Sequence, residues 1–489
     1  MLKVFLGNAP WSKPGYYGVR AGSRWPHFEV ETNRYMPFPF QLAYGAALLE
    51  REGFEVLLVD AIAARLDGAE FDRRIEEFAP DLVLLEVSTP SFNVDLATAS
   101  RVRNRMPRGA RLAFCGPHAP MSRPEFLDSH PEIDLVLVGE YELTLLEVAR
   151  ALEYEKDLGA VPGLVVRNAA GQATNTGKAA VVKDVDSLPW PARHFLPMAN
   201  YFDNPGNIPE PALQMWGSRG CPYSCSYCIW PQLMDGHTYR PRDPAKILDE
   251  MEQVVAEYGY KSVYFDDDTF NIGKERMLDF CRQKIERAND LPWAIMARAD
   301  LMDREVLTAM AKSGLKAVKY GMESADPSLL AQVGKKLDIN RAIENVRLTQ
   351  ELGIKVHLTF MFGIPGETNE TVERTVRLAR ELNPESVQFS ILTPLPGTRI
   401  YDELLERGHL EVSDWESLDG YFTSVVRTES MSAGELEKAA SYAWRSWARH
   451  KALGGITRDD LGWLLRSLPR YLLNPKAAIN QIKRLLAPH

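Results

Sequence analysis

Three closely spaced cysteines constrain this chain more than any other feature of its sequence. Cys221, Cys225 and Cys228 stand in the order Cys-x3-Cys-x2-Cys, directly after a strand-like run. Three thiolates on one short loop can hold three irons of a cubane cluster and leave one iron without a protein ligand. Structural zinc needs a fourth ligand, and the spacing of the nearby His237 matches no zinc pattern. The loop therefore predicts an iron-sulfur centre, with zinc as the alternative.

Composition excludes several classes of protein. The chain has 489 residues, of which 45% are hydrophobic and 25% charged, the balance of a folded globular protein. Its net charge of -9 gives no basic field for nucleic acid, and we expect no nucleic-acid partner. No apolar run of about 18 residues and no signal-peptide pattern is present. Five cysteines are too few for a disulfide scaffold and indicate a reducing compartment, so we expect a cytoplasmic protein.

The first part of the chain alternates short apolar runs with helical patterns. Strands are predicted at 3–6, 55–59, 82–87, 111–115 and 135–138. This alternation predicts a doubly wound, Rossmann-like parallel sheet whose ligand lies beyond the carboxyl ends of the strands. Small or polar residues stand there and are candidate cofactor contacts, with tight turns as the alternative: Ser88, Thr89, Ser91, Gly116, His118, Gly139, Glu140 and Glu142.

A second alternating series follows a stretch rich in Pro, Asn and Gly. Strands are predicted at 213–217, 262–265, 293–297, 317–320, 356–360 and 387–392. Six such units predict an incomplete (β/α)6 barrel of the TIM type, with its chemistry on the carboxyl-end loops. We therefore predict a cofactor domain over 1–157, a linker over 158–211, the barrel over 212–401 and a mainly helical C-terminal domain over 402–489.

The cysteine spacing, Tyr227 before the last cysteine and the six-unit series resemble the radical S-adenosylmethionine (SAM) superfamily over roughly 212–401. The resemblance implies a [4Fe-4S] cluster whose open iron binds the amino and carboxylate groups of SAM, and cleavage to a 5'-deoxyadenosyl radical. Gly321 and Glu323 resemble part of the Gly-Gly-Glu element that meets the SAM amine. Met322 replaces one glycine of that element.

Two further motifs of the barrel carry candidate SAM contacts. Arg298 ends the third predicted strand and is placed to pair with the SAM carboxylate as a planar fork. A surface salt bridge is the alternative. Gly363 and Gly366 resemble the glycine-bearing element that packs near the adenine, and their alternative is a plain turn.

The loop motifs of the first domain resemble the cobalamin-binding domain of cobalamin-dependent radical SAM proteins. The matching segments are Ser88-Thr89-Pro90-Ser91, Gly116-Pro117-His118 and Gly139-Glu140-Tyr141-Glu142. The histidine motif that ligates cobalt in other cobalamin proteins is incomplete here, because Ile133 replaces its glycine after Asp128 and His130. We therefore expect cobalt to lack a histidine ligand.

The resemblance implies a methyltransferase that passes a methyl group from methylcobalamin to an unactivated carbon, or less readily to phosphorus, of a small-molecule or lipid-like substrate. A non-methylating oxidoreductase or cyclase would use the same cofactors, and a cobalamin-binding regulator is a third alternative. The resemblance also implies an electron donor such as flavodoxin or ferredoxin.

Two segments carry further hypotheses. The C-terminal residues from 442 combine basic and apolar side chains, which fits peripheral membrane contact or, alternatively, a docked helix pair. The aromatic and glycine-rich stretch from Pro10 to Pro26 is expected to fold over the cofactor or substrate. Its candidate contacts are Arg20, Arg24, Trp25 and the adjoining His27.

Overall fold

The computed structural model describes residues 1–19, 27–30, 34–420 and 423–453. Within these ranges no helix combines the length and the apolar character needed to cross a membrane. A seven-stranded sheet and a six-stranded sheet form the framework.

The elements of the first part of the chain follow one another as the sequence predicts, with additions at the edges. The strands are β1 Lys3–Asn8, β2 Ser12–Lys13, β3 Tyr16–Val19, β4 His27–Val30, β5 Glu55–Asp60, β6 Leu82–Glu86, β7 Arg111–Cys115, β8 Leu135–Leu137, β9 Leu164–Arg167 and β10 Ala173–Asn175. The helices are α1 Phe40–Arg51, α2 Gly68–Phe78, α3 Phe92–Arg103, α4 Glu125–Ser129 and α5 Glu142–Glu153.

The seven-stranded sheet has the order β10-β9-β8-β7-β6-β1-β5, and the five predicted strands pair in parallel. Every residue of β6 is buried, because helices cover both faces of the sheet. The chain turns from one side of β1 to the other between β5 and β6. Such a switch point opens a ligand crevice at the carboxyl ends of β1 and β6. The doubly wound fold is thus confirmed.

Two features of this region were not predicted. The antiparallel strands β9 and β10 extend the sheet past residue 157, into the segment predicted as a linker. Strands β2, β3 and β4, which follow β1 in the chain, form a separate antiparallel sheet. Of the residues expected to fold over a cofactor, Arg20, Arg24 and Trp25 lie outside the described residues, and His27 begins β4.

The second part of the chain builds the six-stranded sheet. The strands of this part of the chain are β11 Ala212–Met215, β12 Ser218–Arg219, β13 Arg240–Pro241, β14 Ser262–Phe265, β15 Trp293–Ala297, β16 Leu315–Glu323, β17 Lys355–Phe362 and β18 Ser386–Ile391, of which β12 and β13 lie outside the six-stranded sheet. Its helices are α6 Pro244–Tyr258, α7 Lys274–Glu286, α8 Arg304–Lys312, α9 Pro327–Gln332, α10 Ile339–Glu351, α11 Asn369–Leu382, α12 Arg399–Glu406 and α13 Ala433–Leu453.

The six predicted barrel strands are confirmed. They pair in parallel in the order β11-β14-β15-β16-β17-β18, so the carboxyl ends that carry the chemistry share one edge. Local signals set the helix ends: Asp243 caps α6 by accepting from Ala245 N, and Gly259 ends α6 in the left-handed region at φ 72°. Strands β12 and β13 form a short antiparallel ribbon beside the cysteine loop.

The C-terminal helix α13 packs against the barrel. The indole of Trp444 donates from Nε1 to the carbonyl of Phe389 in β18, at 3.3 Å. Most of the segment on which the prediction of membrane contact depends, residues 454–489, lies outside the described residues. That prediction and the domain boundaries stay predictions.

Candidate active site

The cysteine loop between β12 and β13 is held by side chains that follow it in the sequence. Gln232 Nε2 donates to three backbone carbonyls of the loop, those of Cys225, Ser226 and Cys228, at 3.4, 3.0 and 2.7 Å. The Oε1 atom of Gln232 accepts from the backbone N–H of Arg399 at 3.0 Å. The backbone course of the loop is therefore fixed by the protein itself.

One cavity of about 180 Å³ lies at the carboxyl ends of the barrel strands. All three loop cysteines line it. Each thiolate of a cubane binds a different iron, so the cysteines surround a cluster rather than converge on one point. In the described part of the chain no three His, Cys, Asp or Glu side chains gather as ligands of a single ion. Three thiols around one chamber fit a cluster better than zinc.

The cavity also brings together four other residues predicted from the sequence, Tyr227, Arg298, Gly321 and Glu323. Tyr227 is partly buried next to Glu323, and desolvation raises the pKa of its phenol well above the ordinary value, so that the ring remains neutral. The remaining wall comes from strands β15 to β17, from the loops after β14 and β18, from the two residues after Cys228, and from residues 418–420.

Glu323 forms an ion pair that the sequence did not reveal. Its Oε1 atom lies 2.5 Å from Nζ of Lys335, and both side chains are buried in the cavity wall. The register of β16 against β17 shifts between Gly321 and Glu323, and Glu323 adopts φ 61°. A Cβ on Gly321 would lie 2.6 Å from Glu323 Oε1 and 3.0 Å from Lys335 Nζ. Gly321 therefore leaves room for the pair.

Arg298 lines the same cavity but already has charged and aromatic partners. Its guanidinium donates from Nε and Nη2 to the two carboxylate oxygens of Asp300, at 3.1 and 2.8 Å. Its Cζ lies 3.8 Å from the ring centre of Tyr223, which stands between the first two cysteines. The planar fork thus supports the cysteine loop, and contact with SAM stays a prediction for this residue.

The predicted adenine element lies outside the residues that line the cavity. A Cβ on Gly363 would contact Val426 at 3.1 Å, and the backbone N–H of Gly366 donates to Glu429 at 3.2 Å. Both glycines have positive φ, 90° and 88°. The turn therefore packs on the C-terminal segment, and its role towards adenine stays a prediction. Burial raises the pKa of the adjoining Glu367 to about 7.

The candidate cobalamin loops after β6 and β7 are tied together at the switch point of the first sheet. Gly116 has φ 106°, and a Cβ there would lie 2.4 Å from the carbonyl oxygen of Val87. His118 Nδ1 lies 3.1 Å from Thr89 Oγ1, and its ring stacks on Phe92. Burial lowers the pKa of His118 to about 3, so the imidazole is neutral.

The hydroxyls of this region build the turn into α3. Ser91 Oγ donates to Asp95 Oδ2 at 2.6 Å and lies 2.8 Å from Ser88 Oγ. Neutral hydroxyl and imidazole groups at a switch point suit the amide-rimmed corrin of cobalamin, so the residues present fit that group.

Glu140 and Glu142, also predicted as cofactor contacts, point their carboxylates at the barrel. Glu140 Oε1 and Glu142 Oε1 lie 2.8 and 2.7 Å from Arg219 Nη1. Glu140 Oε2 lies 2.8 Å from Arg240 Nη1. Gly139, which has φ 75°, precedes them at the carboxyl end of β8. The structure thus gives both carboxylates a partner in the second half of the chain, while cobalamin contact stays a prediction.

Sequence reasoning missed Gln232 and Lys335. Gln232 stands four residues after Cys228, a helical spacing that could have indicated contact with the loop. No local pattern distinguishes Lys335 in the same way. It is followed directly by a second lysine, Lys336, which is exposed, and the sequence does not indicate which of the two is buried.

Comparisons with known proteins agree with this geometry. Residues 217–379 match the family model of the radical SAM superfamily, and residues 30–149 match that of the B12 binding domain. The first match contains the cysteine loop and the cavity residues up to Thr359. The second contains the candidate cobalamin loops.

Two curated relatives cover most of the chain. An uncharacterized methyltransferase of Pyrococcus horikoshii is 28% identical over 438 residues, which cover 89% of this chain and 93% of that protein. The anaerobic magnesium-protoporphyrin IX monomethyl ester cyclase of Cereibacter sphaeroides is 28% identical over 452 residues, covering 90% and 70%.

A solved structure shares the fold. The radical SAM methyltransferase TsrM from Kitasatospora setae, with cobalamin and a [4Fe-4S] cluster bound, superposes with a TM-score of 0.68. It is 20% identical, and the match covers 92% of this chain and 89% of TsrM.

A B12-binding sheet followed by a barrel with three cysteines after its first strand defines a radical SAM enzyme with a second, corrinoid cofactor. The chain belongs to the cobalamin-dependent radical SAM family. Its cofactors are a [4Fe-4S] cluster, SAM and cobalamin.

Proposed function

We propose that this protein is a cobalamin-dependent radical SAM methyltransferase that methylates an unactivated carbon, or less readily phosphorus, of a small-molecule or amphipathic substrate. The observation that carries the proposal is the cavity in which three thiols, Glu323 and Lys335 meet, in a chain that also carries a B12 binding domain. The methyltransferase relative, which this chain covers almost end to end, supports it. When bound, the cluster and SAM supply a carbon radical and cobalamin supplies the methyl group.

The charges of the cavity match the amino acid end of SAM. That end carries an ammonium and a carboxylate, and Glu323 and Lys335 offer the opposite charges at one place. On binding, Glu323 would pair with the ammonium of SAM and Lys335 with its carboxylate, in place of the ion pair between the two residues. Neither residue would then be left as an unpaired buried charge. Gln232, Arg298 and Tyr223 would hold the cysteine loop in position while SAM binds.

A cyclase or other oxidoreductase that does not methylate is the second candidate. The cyclase relative favours it, because its identity to this chain equals that of the methyltransferase relative. Methyl transfer remains the preferred function because of how much of each relative is matched. The match covers 93% of the methyltransferase relative but only 70% of the cyclase relative.

We further infer a cytoplasmic location and an electron donor of the flavodoxin or ferredoxin type. Support comes from the five cysteines, all of which are free thiols, since such thiols persist in a reducing compartment. Cleavage of SAM to a radical also requires an electron from outside the chain.

The proposal is tested by nucleoside analysis under anaerobic conditions. The protein is loaded with iron, sulfide and hydroxocobalamin, and SAM, a chemical reductant and candidate substrates are added. Methyl transfer predicts 5'-deoxyadenosine and S-adenosylhomocysteine in step with product. 5'-Deoxyadenosine and product without S-adenosylhomocysteine would favour the cyclase instead.

The matched controls are two alanine variants of buried cysteines. Cys225→Ala removes a cluster ligand and should lose most of the roughly four irons per chain together with both nucleosides. Cys281 lies in α7 and outside the cysteine loop, so Cys281→Ala should retain the iron and form both nucleosides.

A further inference from the structure

A buried charge cluster joins the two cofactor regions. It consists of Glu140 and Glu142 from the first sheet and Arg219 and Arg240 from the ribbon β12–β13, and each side chain is at most 6% exposed. Buried charges are tolerated only when they are paired, so removing one member leaves another uncompensated. The cluster therefore behaves as a unit.

One end of the cluster lies in a candidate cobalamin loop. Glu140 follows Gly139 at the carboxyl end of β8. The next residue, Tyr141, donates from its hydroxyl to Glu86 Oε1 at 2.8 Å, at the end of β6. The loop after β6 carries Thr89, which contacts His118. A displacement of these loops would thus reach Glu140 through fully buried contacts.

The other end of the cluster lies beside the iron-sulfur ligands. Arg219 stands two residues before Cys221 and pairs with Arg240 across the ribbon. The intervening Gly220 has φ 76°, and a Cβ there would lie 2.4 Å from the carbonyl oxygen of Thr238. Because this glycine is wedged against backbone, a shift of Arg219 moves the chain at Cys221 as well.

The guanidinium of Arg219 is also held by aromatic rings. Its Cζ lies 4.6 Å from the ring centre of Tyr44 in α1 and 5.2 Å from that of Trp216. Trp216 in turn stacks on Phe40 with 4.3 Å between ring centres. A planar guanidinium held between two rings and two carboxylates has little freedom to change its position by itself. If Glu140 moves, we therefore expect Arg219 to move with it.

We propose that Glu140 is a positioning residue that, through Arg219 and Arg240, couples occupancy of the cobalamin site to the geometry of the cysteine loop. The inference rests on the proposed function insofar as both cofactors must bind. Hydrogen bonding and charge around the sulfurs set the reduction potential of an iron-sulfur cluster. Binding of cobalamin should therefore change the potential of the cluster.

The test is a reduction titration of the full chain, followed by electron paramagnetic resonance. Cluster-loaded protein is compared with and without hydroxocobalamin. Wild-type protein should show a shift of the cluster midpoint potential on loading. Glu140→Gln, which keeps the shape but not the charge, should lose most of that shift. Glu147→Gln, at an exposed side chain of the following helix α5, should retain all of it.

Equal potentials with and without hydroxocobalamin in wild-type protein would overturn the inference, and so would a full shift in Glu140→Gln. If that variant does not fold, Arg240→Gln replaces it with the same expectation, and the wild-type comparison still decides. Failure of the proposed function looks different, because it shows as missing iron or cobalamin, or as cofactor-loaded protein that forms no S-adenosylhomocysteine.

Discussion

Lys335 and Glu323 form an ion pair in the cavity wall, with 2.5 Å between Lys335 Nζ and Glu323 Oε1. The two residues meet because β16 carries a bulge and Gly321 has no side chain to separate them. Neither charge faces bulk water, since Lys335 is 6% and Glu323 8% exposed. The pair therefore provides a buried cation and a buried anion to a zwitterionic ligand.

Lys335→Met should weaken SAM binding without removing the cluster. A hydrogen bond to a charged group contributes about 1.5–3 kcal/mol, so the dissociation constant should rise at least about tenfold. Equilibrium dialysis of SAM against cluster-loaded protein measures it. Lys336→Met, the same substitution at the exposed neighbour, should leave affinity unchanged. Equal affinity in both variants would contradict the assignment.

Arg298→Lys should loosen the cysteine loop more than it weakens SAM binding. Lysine cannot donate to both oxygens of Asp300 or stack flat on Tyr223, so iron should pass to a chelator about tenfold faster. Arg304→Lys, at an exposed ion pair of α8, is the control. Normal iron retention combined with weak SAM binding would instead support the role that the sequence suggested for Arg298.

Glu367 should make the protein less stable as pH rises. Burial raises its pKa from 4.5 to about 7, so the folded chain favours the protonated form. Its contribution to stability is complete below pH 4.5 and is lost as pH rises through about 7, by at most about 3 kcal/mol.

Glu367→Gln should therefore gain stability relative to wild type between pH 5 and pH 8. Thermal midpoints measured across this range give the difference directly. Glu370→Gln, at an 82% exposed side chain of α11, should follow the wild-type profile. Parallel curves for Glu367→Gln and wild type would show that the carboxyl does not titrate in this window.

The positions of the parallel strands could be predicted from the sequence because buried parallel strands leave continuous apolar runs, as in β6. The edge strands β9 and β10 escaped notice, since they are short and lie in a segment without that pattern. The cysteine loop was predictable from local spacing alone.

The partners of the charged site residues were not predictable. Lys335 and Lys336 differ only in which of them the fold buries beside Glu323. Glu140 meets Arg219 across 79 residues of sequence, and nothing local to either residue indicates the other. The Glu140–Arg219 pair follows from the docking of the first half of the chain against the second, and the Lys335–Glu323 pair from the path of the chain after α9. A single sequence displays neither.

The proposed passage of methyl groups through cobalamin can be followed with SAM that carries a deuterated methyl group. Protein loaded with the cluster and reduced cobalamin is mixed with this SAM, and the cobalamin is analysed by mass spectrometry in the dark. The account predicts a trideuteromethyl group on cobalamin and one S-adenosylhomocysteine for each label transferred. Cobalamin that remains unlabelled while SAM is cleaved to 5'-deoxyadenosine would contradict it and favour the cyclase.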